Sequence, residues 1–335
     1  MKAAVFRGGG RLATEEWPRP EVGPGEVLLR VRGCGLCGSD IAKILAPATA
    51  SPAVLGHEVV GDVIEAGPGI VAPAVGDRVV VAHHVPCGTC HYCRRGSHSM
   101  CRAFKASHLD PGGFAEYVRV PAPNVAHATF TLPAHLSDEE ASFVEPLACC
   151  QRAVRRAGAQ PDDTVAVVGL GSIGHLFVRL LRRAGAAVVG VDEGADRRDL
   201  ARRLGVEALA PEAAAAAIAG LSQGRGADHV ILTGGAGRGL SWGAGVVRDG
   251  GSLHCFAGGE EPVLPVGLDA LYHRELTVTA TYSSSPADLA EAFRLVASGT
   301  ITVDGLYTHR VPLERLREGV ALMRSRDALK VYVTP

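Results

Sequence analysis

Thr164-Val165-Ala166-Val167-Val168 is a β-rich run, and it passes directly into Gly169-Leu170-Gly171-Ser172-Ile173-Gly174 and then a helical stretch at 175–183. G-x-G-x-x-G alone is a weak pattern. Set between a strand and a helix it has a physical use: the glycines let the backbone approach a pyrophosphate at the helix N-terminus. The next strand, 187–191, ends in Asp192. An acid there accepts hydrogen bonds from an adenosine ribose 2′-hydroxyl and repels a 2′-phosphate, which favours NAD over NADP. Arg197 and Arg198 follow; they flank the adenine end or solvate the helix expected at 197–205. Strands at 227–232, 252–256 and 276–281 alternate with helical stretches, including an Ala-rich surface helix at Pro211–Leu221. This rhythm predicts a doubly wound parallel sheet, with Gly234 to Gly237 marking a strand-to-loop switch or a flexible turn.

The first 145 residues read differently. Short β-rich runs at 27–31, 59–64, 78–81 and 114–120 are separated by Gly23-Pro24-Gly25, Gly67-Pro68-Gly69 and Pro111-Gly112-Gly113. Many short strands with such punctuation predict a compact, barrel-like β domain. Inside it Cys87, Cys90, Cys93 and Cys101 follow the spacing C-x2-C-x2-C-x7-C. Four thiolates on one short lobe close a tetrahedron around zinc and leave no open position, the mark of a structural site. An iron–sulfur loop shares the first three cysteines but calls for Cys-Pro after three residues, and here seven intervene.

A second group of ligand types is Cys37, His57 and, later, Glu145. Thiolate, imidazole and carboxylate all suit zinc, and three protein ligands leave a fourth position open. Ser39 stands where a proton acceptor for a bound alcohol is wanted, or it serves a turn. Asp40 either orients His57 or caps the helix expected near Ile41. Glu58 is a fourth, exchangeable ligand or a carboxylate behind the ligands. Cys34, Cys149 and Cys150 are rival thiols that read rather as buried apolar residues, Cys34 of a strand and the other two of a helix.

A helical pattern runs over 139–158, and the tail reads as a helix at 286–298, a second at 313–324, and strands at 301–303, 307–311 and 330–333. The tail is expected to return to the first domain, placing the cleft between the two. With 335 residues, two domains are expected: 1–147 with 286–335, and 148–285. A net charge of −1 offers no footprint for nucleic acid or an anionic membrane. The N-terminus lacks the apolar core of a signal peptide, so the cytoplasm is the expected compartment, and nine cysteines there point to metal chemistry rather than disulfides.

Gly56-His57-Glu58, the four-cysteine lobe, Gly112-Gly113-Phe114-Ala115-Glu116-Tyr117, Glu145-Pro146-Leu147 and the Gly169 fingerprint occur in the order that resembles the zinc-containing medium-chain dehydrogenases. The resemblance covers essentially the whole chain. It implies a GroES-like catalytic domain, a Rossmann cofactor domain, NAD, two zinc ions per chain and a homodimer or homotetramer. Glu145 is similar to the polyol (sorbitol) and threonine dehydrogenase branch. The substrate implied is a secondary alcohol of a polyol, sugar or aminocyclitol, with L-threonine or a simple secondary alcohol as the alternative. Carried over by position, Cys37, His57 and Glu145 surround the catalytic zinc, with Glu145 binding directly or through water and Glu58 able to take its place. Ser39 matches the proton acceptor, Asp40 the acid behind the ligands, and Arg197 a residue contacting the cofactor. Ala42 stands where many relatives have a relay histidine, so proton exit is expected through cofactor ribose, water or substrate groups. Lys43, His83, His84 and His108 are candidates to meet polar substrate groups. A zinc-free quinone reductase or a non-catalytic nucleotide-binding protein fits the metal ligands poorly.

Overall fold

The computed structural model describes residues 1–46, 50–234, 236–258 and 264–335. Within the Gly234 to Gly237 turn, Gly235 lies outside the described residues. The chain forms two compact units, Met1–Ala148 with Ser284–Pro335, and Cys149–Ser283.

The first unit is a β domain. Its spine is Val27–Leu36, which pairs antiparallel with Glu58–Ala66, with Tyr117–Val120 and with the last strand, Val331–Thr334. Glu58–Ala66 pairs in turn with Arg78–Ala82. The alternation of Val27, Leu29 and Val31, met by Val59, Val63, Val79 and Val81, builds one fully buried apolar core. Period-two patterning buries one face, and β-branched residues pack well on it. The spine's register shifts twice, between Leu28 and Leu29 and between Val31 and Gly33. Such bulges bend a strand and re-aim its end; beyond them Gly35 faces Glu58 across the ladder.

The second unit is a six-stranded parallel sheet. Taken in chain order as first to sixth, its strands are Thr164–Val168, Ala187–Val191, Glu207–Leu209, Ala227–Leu232, Val247–Cys255 and Thr277–Ala280. Across the sheet they run third, second, first, fourth, fifth, sixth. The order reverses beside the first strand, where doubly wound sheets bind ligands at the strand carboxyl ends. The glycine turn follows that strand.

Three local expectations are corrected. The helix expected over 139–158 is two helices, Asp138–Ser142 and Val144–Ala157. Pro146 explains the break: it has no N–H for a continuous helix, but in a first turn that N–H has no partner to lose. No strand forms at 301–303. Ile301 instead donates back to Leu295 O at 3.0 Å, and its apolar neighbour Val303 is buried without a ladder. The run at 114–120 becomes a strand only from Tyr117, because Phe114 and Ala115 meet Ala4 and Ala3 of the N-terminal strand Lys2–Phe6 instead.

Candidate metal centre and cofactor turn

Cys37 sits at the N-terminus of the helix Gly38–Leu45, and His57 immediately precedes the strand that begins at Glu58. Asp40 ties these two segments together. Its Oδ2 accepts from the Cys37 amide at 3.2 Å, while its Oδ1 accepts from the Gly56 amide at 3.3 Å and lies 3.2 Å from His57 Nδ1. Asp40 is fully buried, so its charge works where water does not screen it. Asp40 is not the N-cap expected of it: the helix starts at Gly38 rather than near Ile41, Cys37 is its N-cap, and Asp40, at the third helical position, accepts from the Cys37 amide while it faces His57. With Nδ1 donating to Asp40, His57 keeps Nε2 for a metal.

Ligand atoms of Cys37, His57 and Glu58 all lie within 4.8 Å of one another. Ser39 Oγ donates to Cys37 Sγ at 3.3 Å from an exposed position. Burial resists charge on His57, yet Asp40 and Cys37 outweigh it and hold the imidazole well above its usual pKa. Asp40 is held below the usual carboxylate range, burial opposing and His57 prevailing. Glu145 is buried in the first turn of Val144–Ala157 but is not part of the trio. Cys34 is fully buried and burial pushes its thiol far up, which suits an apolar core residue.

A buried carboxylate oxygen without a partner calls for an explanation, of which a nearby cation is one. Glu58 is fully buried, and its Oε2 has no hydrogen-bond partner. Its Oε1 accepts from Lys330 Nζ at 2.6 Å. Lys330 is also buried, and although burial disfavours its charge, Glu58 raises its pKa. The donor set, a thiolate and an imidazole with Nε2 to spare beside a buried carboxylate, fits a zinc ion. Sequence reasoning missed Lys330. The available signal was a lysine leading the apolar alternation of Val331-Tyr332-Val333.

His57 also begins a row of rings: His57 and His83 at 4.7 Å between centroids, His83 and His84 at 3.6 Å, then His84 and Phe104 at 4.7 Å. Burial pulls His84 down to about 4 and His83 well below its usual value, so both are neutral at pH 7. His108 stands edge-on to His84 at 6.4 Å.

Ligand atoms of Cys87, Cys90, Cys93 and Cys101 form the second cluster within 4.8 Å. Hydrogen bonds from the Thr89 and Cys90 backbone draw the Cys87 thiol down to about 6, toward the thiolate a metal takes. All nine cysteines are unbridged. Four sulfurs this close without disulfides suit a closed zinc site.

In the second unit the three fingerprint glycines differ in role. Gly169 has φ +93°, a conformation side chains rarely adopt. A Cβ on Gly174 would lie 1.9 Å from Gly169 O, so only glycine lets the helix Ser172–Arg183 pack there. At Gly171 a Cβ would meet nothing nearer than Arg197 Nη1 at 3.9 Å, which leaves that backbone face open. Ser172 and Ile173 begin the helix, whose first amides lack intrahelical acceptors. Asp192 Oδ2 accepts from Leu170 N at 2.7 Å and Oδ1 from Gly194 N at 2.8 Å, placing its carboxylate beside the turn. Arg197 Nη1 is 3.9 Å from Asp192, and Arg198 is turned onto the carbonyls of Asp192 and Glu193. These groups fit a dinucleotide.

Residues 23–130 match the family model described as the alcohol dehydrogenase GroES-like domain, and 172–298 match that described as zinc-binding dehydrogenase. The chain is 30% identical to a sorbitol dehydrogenase of Halalkalibacterium halodurans, over 100% of this chain and 99% of that one. It is also 30% identical to an L-threonine 3-dehydrogenase of Bacillus licheniformis, over 100% and 99%. A crystal structure of a zinc-binding dehydrogenase from Sinorhizobium meliloti 1021, bound to NADP, aligns with TM-score 0.88 at 31% identity, covering 100% of this chain and 99% of that one.

Proposed function

Because this chain belongs to the zinc-binding medium-chain dehydrogenases, in the polyol and threonine dehydrogenase branch, we propose that it moves hydride between NAD and a secondary alcohol of a polyol, sugar or aminocyclitol. The observation that carries this reading is the convergence of Cys37 and His57 on one cluster, braced by Asp40, in a chain that also carries the glycine turn. Zinc, when bound, supplies Lewis acidity that lowers a hydroxyl pKa, and the nicotinamide supplies the hydride acceptor.

The chain's own residues do the rest. Cys37 and His57 hold the ion, with Glu145 as a further carboxylate ligand, direct or through water. Asp40 keeps His57 in the tautomer that leaves Nε2 free. Ser39 takes the substrate proton at Oγ; its exposure and its bond to Cys37 Sγ support that role. Cys87, Cys90, Cys93 and Cys101 hold a structural ion. Gly169, Gly171, Ser172, Ile173 and Gly174 cradle the pyrophosphate, and Asp192 takes the ribose diol. Ala42 carries no ionisable group, so the proton leaves through ribose hydroxyls, water or the substrate. The neutral imidazoles of His83 and His84 offer hydrogen bonds without charge, which suits a polyhydroxylated substrate.

NADP is the second reading for the cofactor, favoured by Arg197 near Asp192 and by the NADP-bound neighbour. L-threonine and simple secondary alcohols are the alternative substrates. A homodimer or homotetramer is part of the proposal; the exposed Leu268 and Tyr272, at 81% and 75%, support an apolar contact. Among the described residues no helix is long and apolar enough to cross a membrane. The nine unbridged cysteines suit the reducing cytoplasm.

The test is a screen of polyols, inositols, aminocyclitols, threonine and small alcohols with NAD and NADP, followed by the absorbance of reduced cofactor. Zinc-dependent turnover of a polyhydroxylated alcohol with NAD is expected. Protein retaining both zinc ions that reduces neither cofactor with any alcohol would refute the reading.

A further inference from the structure

Lys330 has no part in the chemistry above. It is 2% exposed, its Nζ is 2.6 Å from Glu58 Oε1, and Glu58 is 0% exposed. Removing two charges from water costs about as much as their attraction returns, so such a pair is a poor device for stability alone. The carboxylate is also used unevenly: Oε1 is tethered to the ammonium and Oε2 has no hydrogen-bond partner. A Cβ on Gly35 would stand 1.9 Å from Glu58 Oε2 and 2.7 Å from Tyr307 Oη, so the free oxygen has room only because position 35 lacks a side chain. Glu58 also shares the 4.8 Å cluster with Cys37 and His57. One tethered oxygen beside one free oxygen, at the edge of a metal centre, is an arrangement in which the tether decides whether the carboxylate binds the ion.

We propose that Lys330 is a positioning residue whose ammonium holds Glu58 back from the metal, keeping the open coordination position available to the alcohol. This rests on reading the Cys37–His57 centre as a zinc site. Without the ammonium, Glu58 would be an untethered buried carboxylate with a ligand atom already within 4.8 Å of those of Cys37 and His57, placed to close the open position.

The experiment loads the full-length protein with cobalt(II) at the Cys37 centre, where visible absorption reports ligand number and type, and follows zinc release to a chelator in parallel. In the otherwise wild-type chain, Glu58→Gln leaves the cobalt spectrum unchanged, because Glu58 is not a ligand at rest. Lys330→Met shifts the spectrum toward an added oxygen ligand and slows zinc release about 10-fold. Lys330→Arg, which keeps the charge, stays close to wild type. The double variant Glu58→Gln/Lys330→Met, which removes both charges, returns to the wild-type spectrum. A Lys330→Met spectrum identical to wild type, or a shift that persists in the double variant, overturns the inference. If Lys330→Met does not fold, Glu58→Gln decides: a changed spectrum there means that the carboxylate already binds and that Lys330 restrains nothing. A wild-type protein that takes no metal at Cys37 removes the zinc reading and this inference with it, whereas metal bound with none of these shifts removes this inference alone.

Discussion

Asp40 gives one buried carboxylate to both metal-binding segments, and that makes it the residue most exposed to test. Asp40→Asn keeps an acceptor but loses the charge that favours Nδ1–H on His57. Zinc affinity is expected to fall about 10–100-fold, measured by competition with a chromogenic chelator; wild-type affinity would leave Asp40 only its role at the helix N-terminus. The same pair sets a pH dependence. In the metal-free protein His57 titrates well above its ordinary value, so the charged pair stabilises the fold below the ordinary histidine range and loses that contribution as pH rises through the raised pKa. Zinc takes a neutral imidazole and competes with that proton, so its affinity falls as pH drops. Zinc titrations at acid and at neutral pH that give equal affinities would contradict this. Ser39→Ala separates chemistry from binding: kcat is expected to drop about 10²–10⁴-fold with zinc content intact. The gathering of Cys37, Ser39, Asp40 and His57 was legible in the sequence because their residue types and mutual spacing suit ligand chemistry. Lys330 was not, because it lies 272 residues from Glu58 and only the pairing of Val331–Thr334 with Val27–Leu36 brings them together.

At the scale of elements, the turn after Thr164–Val168 carries the most information. Strand, turn and helix were all readable because Gly169 and Gly174 answer local steric demands that leave a trace in sequence. Gly174 shows how hard that demand is. Adding a methyl group there puts Cβ 1.9 Å from Gly169 O, and backbone cannot yield as a flexible side chain can. Gly174→Ala is expected to push the helix Ser172–Arg183 off its strand and weaken NADH binding by at least about 10-fold, with a stability loss of about 1–3 kcal/mol. Fluorescence titration of NADH and a thermal melt check both; unchanged NADH affinity would detach the turn from the cofactor. The helix break at Phe143 was equally present in the sequence, as Pro146, but it was hidden by continuous helical patterning on both sides. The missing strand at 301–303 had no such warning. Its apolar residues are buried, and nothing local shows that no ladder partner is available.

At the scale of the whole chain, each unit has an apolar core, and the four-cysteine lobe of the first unit is held differently. The second unit has its own apolar core, running through Ala166, Val189, Val230, Leu232 and Leu253. The four-cysteine lobe does not: its buried cluster is Cys93, Cys101 and Phe104, with Cys90 packed alongside. Three buried residues offset little of the conformational entropy of ordering such a loop, so the lobe's order is expected to depend on the ion its thiolates would bind. Stripping zinc with a chelator should therefore act unequally. The melting temperature of the full chain should fall, and re-adding zinc should restore it, since a metal that binds only the folded state stabilises it by mass action. NADH affinity, expected to depend on the turn at Gly169 and on Asp192, should stay within about 2-fold of its zinc-loaded value, because none of the clustered ligands belongs to the second unit. Cys101→Ser should reproduce the thermal loss while releasing one zinc equivalent and retaining the other at Cys37. Differential scanning calorimetry with metal analysis on the same samples reads all three quantities. Equal melting temperatures with and without zinc would mean that the lobe is held by packing after all, and loss of NADH binding on chelation would mean that the nucleotide site depends on the metals.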